Sequence, residues 1–466
     1  MEYNVQVLQW CTLWVLTAGA TVAAHWRRNR AGSGLVVGYI SVTGLFYLTG
    51  AAMFVFPAAE LFVSKEVILE GFRQCVYGTA AFAAGSIFFA PMISPEDSGA
   101  VDSMGRESSS ETRSLRGQKP LAYVYLGIGI LSYPLLGSFI GRLPSAQAII
   151  SMSEYLVLVA LCVLCWIAWK RGKRRKLWVL LGIALLFPFV TMLTRGFAGY
   201  GIRAFLIIAA FVATFYRPRW HMVTVGAILV YAGLSFYVGY MSHRAELRDA
   251  VWGGAGYGTR WEQVEGIFGQ TEAFSPAEPD HVGAVVRRLN LSYNVGLATE
   301  YVGTQKDYAG GETVWQAATA MVPRAIWPSK PPVAGSQDLV STYTGQTFSP
   351  GTSVGVGHVL EWYINFGTWG VVLGFLLFGT LVTAIDNRAS FWLERGNVQQ
   401  FVQWFLPGIA FLNVGGQFAA LTSSFIAGWI AVWGINTFLL PYILRKSHRM
   451  SFSSPRNAPS QSSPRL

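Results

Sequence analysis

Residues 148–176 read AIISMSEYLVLVALCVLCWIAWKRGKRRK, an apolar run with no charge after Glu154 until it ends in six basic residues out of seven. At ~1.5 Å per helical residue, a run of about 20 residues crosses a hydrocarbon core ~30 Å thick. A basic cluster directly after such a run marks the cytoplasmic end of a membrane span. Working outward in both directions, similar runs recur, and the sequence predicts spans near 5–25, 35–56, 72–93, 120–140, 148–169, 177–194, 203–216, 221–242, 363–385, 401–420 and 422–444. The expectation is an all-α polytopic membrane protein of about 11 transmembrane helices. Its charged fraction, 13%, is half the ~25% of soluble domains.

The net charge of +11 does not signify nucleic-acid binding, because the basic residues fall in short clusters between apolar runs. With the N-terminus outside, the segments assigned to the cytoplasm hold 22 Lys and Arg against 7 acids, and the outer segments hold 13 against 17. That asymmetry is the positive-inside pattern over the whole chain. No Lys or Arg precedes the first apolar stretch, and Arg27, Arg28 and Arg30 follow it, so the start reads as an uncleaved first span. The expected organisation is a bundle over 1–242 with about 8 spans and a disordered cytoplasmic linker at 94–119. A large outer loop over 243–362 with short amphipathic or re-entrant helices follows, then about 3 spans over 363–444 and a disordered cytoplasmic tail at 445–466. Cys11, Cys75, Cys162 and Cys165 lie in or beside apolar runs without nearby histidines, and read as small buried residues.

Three stretches carry chemistry. The outer turn at 194–203, TRGFAGYGIR, sets Arg195 and Arg203 around three glycines on the side where positive charge is disfavoured. Either these arginines anchor lipid phosphate, or they face the bundle and hold an anionic group with paired donors. Residues 321–332, MVPRAIWPSKPP, fix Arg324 and Lys330 on a proline-stiffened turn that either presents them to a ligand or seals the loop on the membrane. Residues 351–367, GTSVGVGHVLEWYINFG, put His358 and Glu361 three apart at an expected helix start, directed at the outer mouth. They read as proton-transfer partners or as an interfacial His and a dipole-stabilised Glu. Arg288, within the helical stretch 283–301, is a further outer cation. No Walker loop, zincin or G-x-S-x-G motif is present, and no metal or cofactor site is expected.

At residues 323–331 (PRAIWPSKP), the glycine-rich run, Glu361 and residues 365–367 (NFG), the chain resembles the Wzy-type polymerases of O-antigen and exopolysaccharide, GT-C-class membrane glycosyltransferases. The resemblance implies a multi-pass protein of the bacterial inner membrane with a periplasmic N-terminus and loop and a cytoplasmic C-terminus. It implies metal-independent transfer of a growing glycan from undecaprenyl diphosphate to a hydroxyl of an incoming undecaprenyl-diphosphate-linked repeat unit. Glu361, His358 and Arg324 are then the catalytic candidates, and Arg195, Arg203, Arg288 and Lys330 the diphosphate-binding ones. The expected partners are the lipid-linked oligosaccharide, membrane lipids, a flippase and a chain-length regulator, with no nucleic acid. An O-antigen ligase and a lipid-linked oligosaccharide flippase or transporter share these features and stay open.

Overall fold

The computed structural model describes residues 2–27, 32–93, 118–132, 144–216, 220–324, 326–349, 352 and 354–443. The expected tail lies outside these residues, as does all of the expected linker except Gln118 and Lys119. The described chain is all-α; its one β feature is an isolated bridge between Val302 and Lys306.

Eight helices among the described residues are long and apolar enough to cross a membrane. In chain order the helices are α1 (Glu2–Arg27), α2 (Leu35–Val55), α3 (Lys65–Met92), α4 (118–132), α5 (Gln147–Lys170), α6 (Arg174–Arg195), α7 (Gly199–Phe215) and α8 (Trp220–Trp252). Five short helices follow: α9 (Tyr257–Gly269), α10 (Pro279–Val286), α11 (Ser292–Tyr301), α12 (Glu312–Ala320) and α13 (Ser336–Thr344). The last three are α14 (His358–Glu394), α15 (Val398–Gly408) and α16 (Phe418–Ile443). Every expected span has a helix at its place. α4 is described only to residue 132, and α7 and α15 are short.

Helices α1 and α3 run side by side in the same direction, since Trp10 meets Tyr77 and Trp14 hydrogen-bonds Thr79. The start of the chain therefore shares one end of the bundle, here the loop end, with α9–α13. The loop is not a separate body. Gly71 of α3 lies so close to α11 that a Cβ there would overlap the Ser292 carbonyl. Small residues permit such backbone approach where helices cross in a membrane. At the opposite end the Asp386 carboxylate accepts hydrogen bonds from Ser33 Oγ and the Leu35 N–H, both 2.7 Å, capping α2 from α14.

Three boundaries differ from the sequence expectation. α8 continues to Trp252, ten residues past the expected end of its span at 242, because residues 243–252 pack on α9 and on the end of α6. α14 is interrupted at Phe366 (φ −143°) and Gly367 (φ 64°), so its spanning part begins after the break. A positive φ suits glycine, which has no Cβ to clash. The expected span at 401–420 stops instead at Leu412, after a 3₁₀ turn, and residues 413–417, NVGGQ, reverse the chain.

Candidate functional site

The segment 358–365 folds back along the spanning part of α14. His358 packs edge-on against Phe378 with ring centroids 5.3 Å apart. The eight residues 358–365 rise about 11 Å as a helix, so this segment descends by roughly that length from the break toward the middle of the bundle. A Cβ on Gly374 would overlap the Trp362 ring, and glycine there is what lets the two arms pack.

The descending arm brings polar groups to the bundle interior and uses them. Glu361 and Asn365, four apart, share one helix face. Glu361 Oε2 accepts the Phe418 N–H at 2.6 Å, and Thr313 also hydrogen-bonds its carboxyl. Asn365 Oδ1 accepts the Gly311 N–H at 3.0 Å, while its Nδ2 donates to Thr313 Oγ1 at 2.7 Å and to the Glu361 carbonyl at 2.6 Å. Helix starts leave backbone N–H groups without intrahelical partners and carry a partial positive charge. One face of 358–365 therefore caps the starts of both α12 and α16. His358 donates its backbone N–H to Val414 O at 3.2 Å, and its Nδ1 meets the Tyr39 hydroxyl at 3.1 Å. Its Nε2 is buried without a hydrogen-bond partner. Glu361 and His358 are 1% and 0% exposed. The sequence reading turns both toward the outer mouth; the structure turns both inward, because the segment re-enters the bundle.

Arg195 and Arg203 come together as the turn at 194–203 suggests. Gly196 (φ 75°) ends α6 in a left-handed turn. The two guanidinium carbons then lie 5.1 and 5.7 Å from the Tyr200 ring centroid. Arg195 pairs with Glu154. Arg203 has no carboxylate partner among the described residues; it donates to Asn413 Oδ1 and, at 3.0 Å, to the Tyr155 hydroxyl. Asn413 opens the 413–417 turn, and Phe418 just beyond that turn is held by Glu361. The turn thus joins the arginine pair to the re-entrant arm.

Arg324 and Lys330 form a different group. Lys330 Nζ donates to the carbonyls of Thr319, Ala320 and Val322 at the end of α12, and Arg324 donates to Lys330 O at 2.9 Å. Desolvation and then the charge of Arg324 hold the Lys330 pKa below its ordinary value. Both side chains line an open cleft of about 260 Å³ whose far wall is Gln417 and the first turn of α16. Arg288 stands with Arg244 and Arg248 instead. Burial of its guanidinium, then the charge of Arg244, lower its pKa. Among the described residues no group of three or more His, Cys, Asp or Glu is placed to hold a metal ion.

A family model described as a domain of unknown function, DUF8712, matches residues 35–439. The chain belongs to the DUF8712 family. No curated protein and no solved structure gives a match. The DUF8712 match runs from the first residue of α2 to near the end of α16, so the arginine pair, the re-entrant arm and the cleft all lie inside the family's domain.

Sequence reasoning missed Asn413, Gln417, Tyr155 and Tyr200 in this DUF8712 protein. A signal for the first two was present: two amides and two consecutive glycines, at 413–417, inside an otherwise apolar run. Such residues favour turns over a continuous helix. Tyr155 and Tyr200 carry no such mark, since a tyrosine in or beside a span is ordinary.

Proposed function

We propose that this DUF8712 protein is a glycosyltransferase that polymerises lipid-linked polysaccharide repeat units at the periplasmic face of the bacterial inner membrane. The observation that carries the reading is Arg203, a half-buried cation of the helical bundle with no carboxylate partner among the described residues, beside the turn that leads to the Glu361 network. A permanent guanidinium without an internal counterion favours an anionic ligand, and its paired donors match phosphate oxygens.

In the reaction, the oxygen of an acceptor hydroxyl bonds to the anomeric carbon of the growing glycan. The bond from that carbon to the undecaprenyl diphosphate breaks, and the electron pair leaves with the diphosphate. Arg195 and Arg203 stabilise the charge that gathers on the leaving oxygen, acting as fixed cations rather than mobile ones. Arg324 borders the same turn from the cleft side. The hydroxyl proton goes to Glu361 once α16 releases the carboxylate, with His358 as the neighbouring base.

A second reading, a lipid-linked oligosaccharide transporter, draws on one observation: α14 is broken, and the α15–α16 turn meets its re-entrant arm inside the bundle. Transporters place substrate sites at such discontinuous helices. An O-antigen ligase would keep the same chemistry with a different acceptor. Reconstituted protein supplied with synthetic undecaprenyl-diphosphate repeat units separates the three. A ladder of lengthened glycans is expected; transfer to another acceptor alone would make it a ligase, and movement without covalent change a transporter.

A further inference from the structure

Buried charges in proteins are ordinarily answered by opposite ones. Arg203 is half-buried and is held instead by two neutral acceptors. It donates one N–H to Asn413 Oδ1 and one, at 3.0 Å, to the Tyr155 hydroxyl. A guanidinium has five donors and no acceptor, so three of its N–H groups are left without a partner among the described residues.

Asn413 stands on a turn with little freedom. The Val356 and His358 N–H groups donate to Gly415 O at 3.1 Å and to Val414 O at 3.2 Å, and the Gly416 N–H returns to Asn413 O at 2.8 Å. With the bond from the Phe418 N–H to Glu361, these contacts fasten the turn to the re-entrant arm. Because a guanidinium only donates, Oδ1 is the amide atom that faces it. Nδ2 lies against Gly416, where a Cβ would overlap it. The turn therefore presents the amide oxygen to Arg203 in one orientation. An aspartate at 413 would accept the same hydrogen bond and would also neutralise the guanidinium, whereas asparagine orients it and leaves its charge in place.

We propose that Asn413 is a positioning residue: through its neutral amide it fixes the Arg203 guanidinium so that the charge and the remaining donors meet the phosphate of a lipid-linked substrate. A carboxylate in its place would compete with that phosphate for the same cation. This inference rests on Arg203 binding the substrate's diphosphate, and not on the glycosyl transfer that follows.

The test titrates the full chain in detergent with geranylgeranyl diphosphate and records the melting temperature of each variant beside its affinity. Two substitutions respond in opposite order for a positioning role and for a merely structural one. Asn413→Asp keeps the acceptor, so it should melt at or above the wild-type temperature while binding the probe about tenfold more weakly or worse, its carboxylate having cancelled the cation. Asn413→Ala loses one hydrogen bond and keeps the charge, so it should melt no higher than wild type while binding weakens only a few-fold. Wild-type affinity in Asn413→Asp, or alanine as the weaker binder of the two, overturns the proposal. So does an Arg203→Ala chain that binds the probe as wild type does. Inorganic diphosphate should displace little of the probe at equal concentration; equal displacement overturns the assignment to a lipid-linked phosphate. The expected order of affinities in a chain that builds no glycan ladder would overturn the polymerase reading alone and support the role of Asn413.

Discussion

Glu361 and Arg203 are both ionisable residues held within the helical bundle, a few residues apart across the 413–417 turn, and their surroundings differ in kind. Glu361 is enclosed: a helix start and Thr313 take its carboxyl, and Asn365 beside it caps a second helix. Arg203 is half-buried and meets an amide, a phenol and a ring face, with no carboxylate partner among the described residues. The first arrangement holds three segments in register. The second leaves an electric field for something else to answer. The same turn thus stands between an enclosed polar network and a half-buried cation with no carboxylate partner among the described residues.

The strongest way to break this comparison is Arg203→Ala. Losing one charge-assisted contact to a leaving oxyanion lowers turnover about a hundredfold, or ~3 kcal/mol. The melting temperature should move little, since the groups it leaves, Asn413 and Tyr155, are only part-buried and no carboxylate among the described residues loses a partner. Arg203→Lys should rescue little where paired donors are needed. A large loss of thermal stability with near-normal chain ladders would make Arg203 a structural residue.

Glu361 sharpens the comparison from the other side. Glu361→Ala leaves the buried Phe418 N–H without an acceptor, at about 1–3 kcal/mol, so the melting temperature should fall. Glu361→Gln retains an acceptor oxygen, and should stay close to wild type in stability while losing turnover. Unchanged melting in Glu361→Ala would break the account of the network; full turnover in Glu361→Gln would remove Glu361 from the chemistry.

The smallest effect is expected at Lys330, which caps α12 through three carbonyls on an accessible surface. Lys330→Met should cost about 1 kcal/mol or less of stability, as for a cation near a helix end. A loss of turnover above tenfold at unchanged stability would instead tie Lys330 to the diphosphate.

The sequence by itself determined the membrane as solvent, the approximate place of each expected span and the gathering of Arg195 with Arg203. These follow from hydropathy over about 20 residues and from a glycine turn, both local properties of the chain. Only the tertiary structure decided that 358–365 re-enters the bundle and that the run after α15 stops at Leu412. It also decided that Glu361 holds Phe418 while Arg203 holds Asn413. A one-dimensional apolar profile cannot distinguish a helix that crosses from one that turns back, because both bury the same kinds of side chain. What separates them is where the groups at each break find partners: the Phe418 N–H meets the Glu361 carboxylate 57 residues away, and the Asn413 side chain meets Arg203 210 residues away along the chain.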